Sequence, residues 1–216
     1  MQTLRARENF SISGKTIADI PGFTESIIRI KQAAALANVV AGGLSKEIAE
    51  AIVAAGDYCL ENFEPSQFPV DIYHGGGGTP ANMNVNEVLA NRVNETLTGS
   101  KGYDRVPNTD VNMAQSTNDV IPSAMKLAVH KLLAQLEVTV SDLVEALVAK
   151  EAEFNGVIKL SRTCFQDALP ITLGQQLSGY RYGFHRALHE LEAMRNQPDL
   201  QPCLAKTGRA DREARL

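Results

Sequence analysis

Apolar side chains between positions 125 and 147 fall on a single stripe. Met125, Val129, Leu132, Leu133, Leu136, Val140, Leu143, Val144 and Leu147 follow one another by steps of three, four and one. Those steps fit a helix of about 3.6 residues per turn, and Lys126, Lys131, Gln135 and Glu145 take the other side. The stripe predicts an extended helix packed in a bundle, and its length suits a bundle shared by several chains. Pro122 reads as a start signal, because a missing N–H costs little in a first turn. Similar patterns predict helices over residues 23–38, 45–62 (with Ser45 as cap), 84–97 and 173–195. Strand signals are few. The best is the segment 68–73, which Pro69 marks as short or at a sheet edge. Residues 196–216 are polar without a stripe and read as a tail. The fold class is mainly α.

Composition narrows the function classes. The 216 residues are 44% hydrophobic and 21% charged, an ordinary globular balance that excludes a largely disordered chain. Lys and Arg number 21 against 25 Asp and Glu, so the net charge of −4 advertises no basic face to nucleic acid. No apolar run approaches the roughly 18–20 residues that cross a bilayer, and the opening MQTLRARENF lacks the apolar stretch of a secretory signal. Cys59, Cys164 and Cys203 are odd in number and widely spaced, which fits neither a disulfide framework nor a zinc site. The expectation is a soluble, cytoplasmic protein.

Three polar clusters carry the candidate chemistry. In the first, Gly75-Gly76-Gly77-Gly78-Thr79-Pro80-Ala81-Asn82-Met83-Asn84, glycines let backbone N–H groups approach a ligand, and Thr79-Pro80 reads as a helix cap and first helical position. It is either an anion site or a flexible loop before a capped helix. The second is Gln115-Ser116-Thr117-Asn118-Asp119, whose hydroxyls and amide donate to a ligand, unless Asn118 or Asp119 simply caps the long helix. In the third, Ser161-Arg162-Thr163-Cys164-Phe165-Gln166-Asp167, Arg162 holds a carboxylate or pairs with Asp167. His185 and His189 have a metal-capable spacing but no further ligands beside them, so they read as an exposed structural pair.

The runs GGGGTPANMNVNEVLANR (75–92), NMAQSTNDVIPSAMKLAV (112–129) and SRTCFQDALPITLGQQLSGY (161–180) resemble, in order and spacing, three motif regions of the aspartase/fumarase superfamily. The resemblance starts at TLRARENFSISG (3–14) and runs to about residue 195. QFPVDIYHGGGGT and the Ser116-Thr117 pair look more like the aspartate ammonia-lyase branch, whereas NMNVNEVLANR and LGQQLSGY are shared with class II fumarases. The resemblance implies an N-terminal lyase domain over residues 1–110, the front of a long-helix bundle over 111–195, and a divergent tail over 196–216. It also implies reversible anti-elimination of ammonia from L-aspartate to give fumarate. Thr79, Ser116, Thr117 and Asn118 would hold the substrate, Thr163 would add a donor, and Asn82 and Cys164 stand close to the motif positions. Cys164 replaces the histidine or glutamine usual at its place. No cofactor or metal is implied, and the family assembles as a homotetramer with composite sites. The family's base serine lies on a GSS-x-MP-x-K-x-N loop that these residues lack, so the 216-residue chain is expected to be silent by itself. The alternatives are a fumarase-like hydratase and a non-enzymatic remnant that co-assembles with intact subunits.

Overall fold

The computed structural model describes residues 1–197, which separate into one unit over residues 1–129 and another over the described residues from 130 onward. The first unit contains α1 (Gln2–Asn9), α2 (Phe23–Val40), α3 (Lys46–Glu61), α4 (Thr79–Thr98), the one-turn α5 (Asn108–Val111) and the start of α6 (Thr117–Glu153). α2 packs on α3, α3 on α4, and α1 and α5 also lie against α4. Ile27, Ile28, Ile52, Val85, Leu89 and Val93 are fully buried between them. Each such side chain contributes about 1.5–3 kcal/mol when removed from water.

α4 is the polar spine of this unit as well as part of its core. Its Asn94 accepts from the Arg105 and Val106 N–H groups (2.9 and 3.1 Å) and donates to the Val106 carbonyl (2.8 Å), fixing the approach to α5. Its Glu87 accepts from the N–H groups of Gln2 and Thr3 (2.7 and 3.1 Å) and from the Thr3 hydroxyl (2.7 Å), so it caps the first turn of α1. α4 begins five residues before the predicted position 84. The buried Asn82, Asn84 and Asn86 interrupt the apolar period, which hides the first turn from a hydropathy reading.

The predicted strand at 68–73 does not form. An isolated bridge joins Thr16 to Asp71, and the Asp71 carboxylate takes the N–H groups of Ile12 (3.1 Å), Ser13 (2.7 Å) and Tyr73 (2.8 Å). Ile17 N–H to the Val70 carbonyl (2.8 Å) and Ile72 N–H to the Lys15 carbonyl (3.0 Å) pair the two segments, and the carboxylate takes the flanking donors that would have to extend the ladder. Burial raises the Asp71 pKa, but these donors and the Ser13 hydroxyl outweigh it and hold the carboxyl at about 2. A depressed carboxyl stabilises the fold above its ordinary pKa, and that contribution is lost as pH falls toward the folded value. The Tm gap between wild type and Asp71→Asn should therefore be widest near neutrality and close between about pH 4 and 2. A gap that stays constant on acid titration would remove this role for Asp71.

α6 also starts earlier than expected, five residues before Pro122, which sits inside the helix. The Ser116 carbonyl accepts from the N–H groups of Asp119 and Val120 at 3.0 Å each, and its hydroxyl accepts from Asn118 N–H at 3.3 Å. Ser116 is thus the capping residue.

The second unit contains the rest of α6, an antiparallel hairpin of β1 (Ile158–Thr163) and β2 (Gln166–Thr172), and α7 (Leu173–Arg195). The third polar cluster lies on this hairpin. α7 has its predicted bounds, opened by a capping box. Gln175 N–H donates to Thr172 Oγ1 (3.0 Å), and Thr172 N–H donates to Gln175 Oε1 (2.9 Å). Ion pairs Arg181–Glu151 (2.6 Å) and Arg195–Glu137 (2.8 Å) tie α7 to α6. On α6, Leu136 and Leu143 of the apolar stripe remain exposed in the single chain. The expected tail, apart from Asn196 and Gln197, lies outside the described residues.

Candidate functional site

Gly76, Gly77 and Gly78 all have positive φ (68, 60 and 96°), a conformation that glycine adopts at no steric cost. They form a tight turn into α4. Gly78 is also buried, and a Cβ there would stand 2.7 Å from Ile121 Cγ1 in α6. The glycine run thus lets the start of α4 meet the start of α6.

The first cluster's cap shifts by one position from the sequence reading. Gly78 is the cap, Thr79 the first helical residue and Pro80 the second. Gly78 has no side chain, so no side chain caps α4. Thr79 is exposed and donates to the Gly76 carbonyl at 2.8 Å. Across from it, Ser116 and Asn118 are exposed and Thr117, the first residue of α6, is half-buried. Asn82, in the first turn of α4, donates to Thr117 Oγ1 at 3.4 Å and links the two helix starts. Two positive helix ends bordered by hydroxyls favour an anion.

A cavity of about 230 Å³ opens beside Thr79 and Pro80, lined also by Arg5, Phe10 and Met83. Arg5 is exposed on α1, which Glu87 holds against α4. It brings a permanent cation to the same end of α4 and was not singled out in the sequence. Its only signal there was its place in TLRARENF.

Beneath the helix starts lies a buried amide network. Asn112 Oδ1 accepts from Lys31 Nζ (2.8 Å), Asn82 Nδ2 (3.1 Å) and Asn86 Nδ2 (3.1 Å). Lys31 has no exposed surface, and burial pushes its ammonium down to about 7. Asn82 Oδ1 and Asn86 Oδ1 are buried without a donor.

The remaining sequence candidates sit in the second unit. Thr163 ends β1 and is exposed, as is Cys164 at the hairpin tip. Cys164 and Phe165 both have positive φ (48 and 59°), as a two-residue type I′ turn requires. Arg162 pairs with Asp167 at 3.5 Å with both side chains largely in solvent, a contact worth little. His185 and His189 touch edge to face at 5.5 Å between ring centres, and His189 faces Glu192 at 3.6 Å. Among the described residues no group of three or more side chains is placed to hold a metal. Nor is any helix there long and apolar enough to cross a membrane.

Another cavity, about 660 Å³, is lined by Tyr58, Asn91, Arg92, Lys101 and Tyr103 but by none of Thr79, Ser116, Thr117 or Asn118. Its Arg92 is already engaged, stacked 3.6 Å from the Tyr58 ring centre and paired with Glu95 at 2.9 Å. The Met1 ammonium, paired with Glu87 at 3.0 Å, and Lys101 share the cavity with Glu64, Glu87 and Glu95, and three carboxylates oppose a dicarboxylate there, so the junction of α4 and α6 is the better anion site.

Known proteins carry the same arrangement of sequence. A lyase family profile matches residues 1–210. The aspartate ammonia-lyase of Escherichia coli K12 is 45% identical over 183 residues, 83% of this chain and 38% of its own length. That of a Bacillus species is 44% identical over 91% of this chain and 42% of its own. The chain thus spans about two fifths of the curated relatives it matches. Among solved structures, a fumarate lyase:delta crystallin from Brucella melitensis superposes with a TM-score of 0.87 at 39% identity, over 97% of this chain and 50% of that one. A class II fumarase from Schistosoma mansoni does so with 0.83 at 31% identity, over 100% of this chain and 50% of that one. The chain belongs to the lyase family of the aspartase/fumarase superfamily, and the aspartate ammonia-lyases are among its relatives at 41–45% identity.

Proposed function

We propose that these residues form the substrate-binding side of an aspartate ammonia-lyase, which eliminates ammonia from L-aspartate to give fumarate. The observation that carries this reading is the meeting of the α4 and α6 starts, joined by Asn82 and Thr117 and bordered by Thr79, Ser116 and Asn118. Arg5 adds the cation that a dianionic substrate requires. By the family resemblance Thr163, which follows the same motif order, is a further substrate donor in the assembled enzyme, with Cys164 next to it in sequence. In this reading residues 1–110 are the front lyase domain and residues 111–195 the front of the central bundle. The assembly is a cytoplasmic homotetramer, whose partners cover the apolar stripe of α6.

In the reaction a base takes the proton from the carbon next to the β-carboxylate. The electron pair passes into that carboxylate, which becomes an aci-dianion. It then returns to form the double bond as the carbon–nitrogen bond breaks and ammonia departs. Hydroxyl and N–H donors fixed around the carboxylate favour the dianion over the ground state, which lowers the barrier. The base is supplied from outside these residues, so the 216-residue chain binds a dicarboxylate without turning it over.

Calorimetric titration with fumarate and with the monocarboxylate acrylate tests the reading. Saturable binding of fumarate and none of acrylate is expected, with no fumarate made from L-aspartate in an ultraviolet assay. Equal binding of both acids, or of neither, would contradict the reading. Preference for malate over aspartate in competition would move the assignment to a fumarase-like hydratase.

A further inference from the structure

Lys31 is an unfavourable choice for its position if only stability is considered. An ammonium with no exposed surface, held by one neutral amide oxygen, carries a desolvation penalty that a methionine of similar length would not. What lysine supplies and methionine does not is a group that can only donate.

The amides around it can each face either way, since every Asn side chain has a donor end and an acceptor end. The charged Lys31 ammonium accepts no hydrogen bond, so Asn112 turns Oδ1 toward it, and its Nδ2 donates at the other end to the Gln115 carbonyl at 3.2 Å. That oxygen then collects the Nδ2 groups of Asn82 and Asn86, both of which leave their own Oδ1 buried without a donor. An unpaired buried acceptor is destabilising, so Asn82 and Asn86 would not take this orientation by themselves. Facing the network nitrogen-first, Asn82 also points Nδ2 at Thr117. Thr117 Oγ1 becomes an acceptor toward the interior, and among the described residues its own hydrogen goes to no other group. With the amides reversed, Thr117 would donate inward to Asn82 and have no hydrogen for a ligand.

We infer that Lys31 is a positioning residue: through Asn112 and Asn82 it sets the direction of the amide network, so that the Thr117 hydroxyl donates outward to a ligand carboxylate. The inference rests on the dicarboxylate reading above and adds the residue that orients that site from behind. It makes Lys31 unnecessary for folding.

A double-mutant cycle on fumarate affinity, run below neutral pH where Lys31 is charged, tests it. Lys31→Met should keep or raise Tm yet weaken fumarate binding about tenfold, the value of one well-directed hydrogen bond. Thr117→Val should weaken it by a similar factor, and K31M in the T117V chain should cause no further loss. The side-chain amide NMR signals of Asn82 should shift in K31M without ligand. Additive losses would mean that Lys31 acts independently of Thr117 and would overturn the inference. A K31M chain that binds like wild type, or that fails to fold, would do the same. If wild type binds fumarate and T117V weakens it while K31M does not, only the inference fails. If wild type does not bind fumarate, the dicarboxylate reading fails and takes the inference with it.

Discussion

Replacing Thr79 and Thr117 together by valine should remove fumarate binding while leaving the chain folded. The two hydroxyls stand at the first positions of α4 and α6, and valine has nearly the same shape. Within the protein each hydroxyl gives up little. Thr79 loses a bond to the Gly76 carbonyl at an exposed turn, and Thr117 loses a long 3.4 Å bond from Asn82. Toward a carboxylate the loss is larger, since a hydrogen bond to a charged group contributes about 1.5–3 kcal/mol once Thr79 has turned its hydrogen from the Gly76 carbonyl to the ligand. Two such bonds correspond to roughly a hundredfold to ten-thousandfold in affinity. Calorimetry reads the affinity and circular dichroism the fold. An unchanged affinity would separate these hydroxyls from the ligand.

Gly78→Ala should be the most destabilising small substitution in the turn. It forces a Cβ into a buried site with φ +96°, 2.7 Å from Ile121 Cγ1 and 2.9 Å from its Cγ2. A left-handed backbone at a non-glycine residue costs about 1–3 kcal/mol, and overpacking adds about 1–3 kcal/mol more. For a chain of this size that corresponds to a fall in Tm of roughly 4–20 °C. Gly77→Ala separates the two causes, because Gly77 has φ +60° but no atom within 4 Å of its would-be Cβ. It should show the backbone cost alone. Ile121→Ala in the Gly78→Ala chain should recover part of the overlap cost. If Gly77→Ala and Gly78→Ala are equally destabilising, the close approach of α4 to α6 is not tight.

The parts of this fold that were legible in the sequence are those where burial and periodicity coincide. α2, α3 and α7 follow their apolar spacing, and the Ser45 cap was readable from its residue type, with Ile48 N–H at 3.3 Å from its hydroxyl. The first turn of α4 was not legible, because Asn82, Asn84 and Asn86 are buried polar groups and break the apolar stripe. The hairpin was missed for the opposite reason. Nearly every residue of β1 and β2 is exposed or half-exposed, so no alternation marks a buried face. Segment 68–73 looked like a strand from Phe68, Val70 and Ile72, but it pairs with residues 15–17 through only two backbone bonds, and the Asp71 carboxylate takes the neighbouring Ile12 and Ser13 N–H groups, a long-range choice that hydropathy does not reveal.

Thr79, Ser116, Thr117 and Asn118 stood out because hydroxyls and amides beside a glycine run or helix start are unusual. Arg5 and Lys31 did not. Each looks like a solvent-facing residue of a helix until tertiary structure brings α1 beside Thr79 and sets Asn112, 81 positions away in sequence, against the Lys31 amine.

The central claim is that the junction of α4 and α6 holds a dicarboxylate. The most direct measurement is a fumarate titration of the isotope-labelled 216-residue chain, followed by the backbone amide NMR signals. Saturable shifts at Thr79, Asn82, Ser116, Thr117 and Asn118, sharing one dissociation constant, are the predicted result. Shifts confined to the cavity around Tyr58, Arg92 and Lys101, or no saturable shift at all, would contradict it.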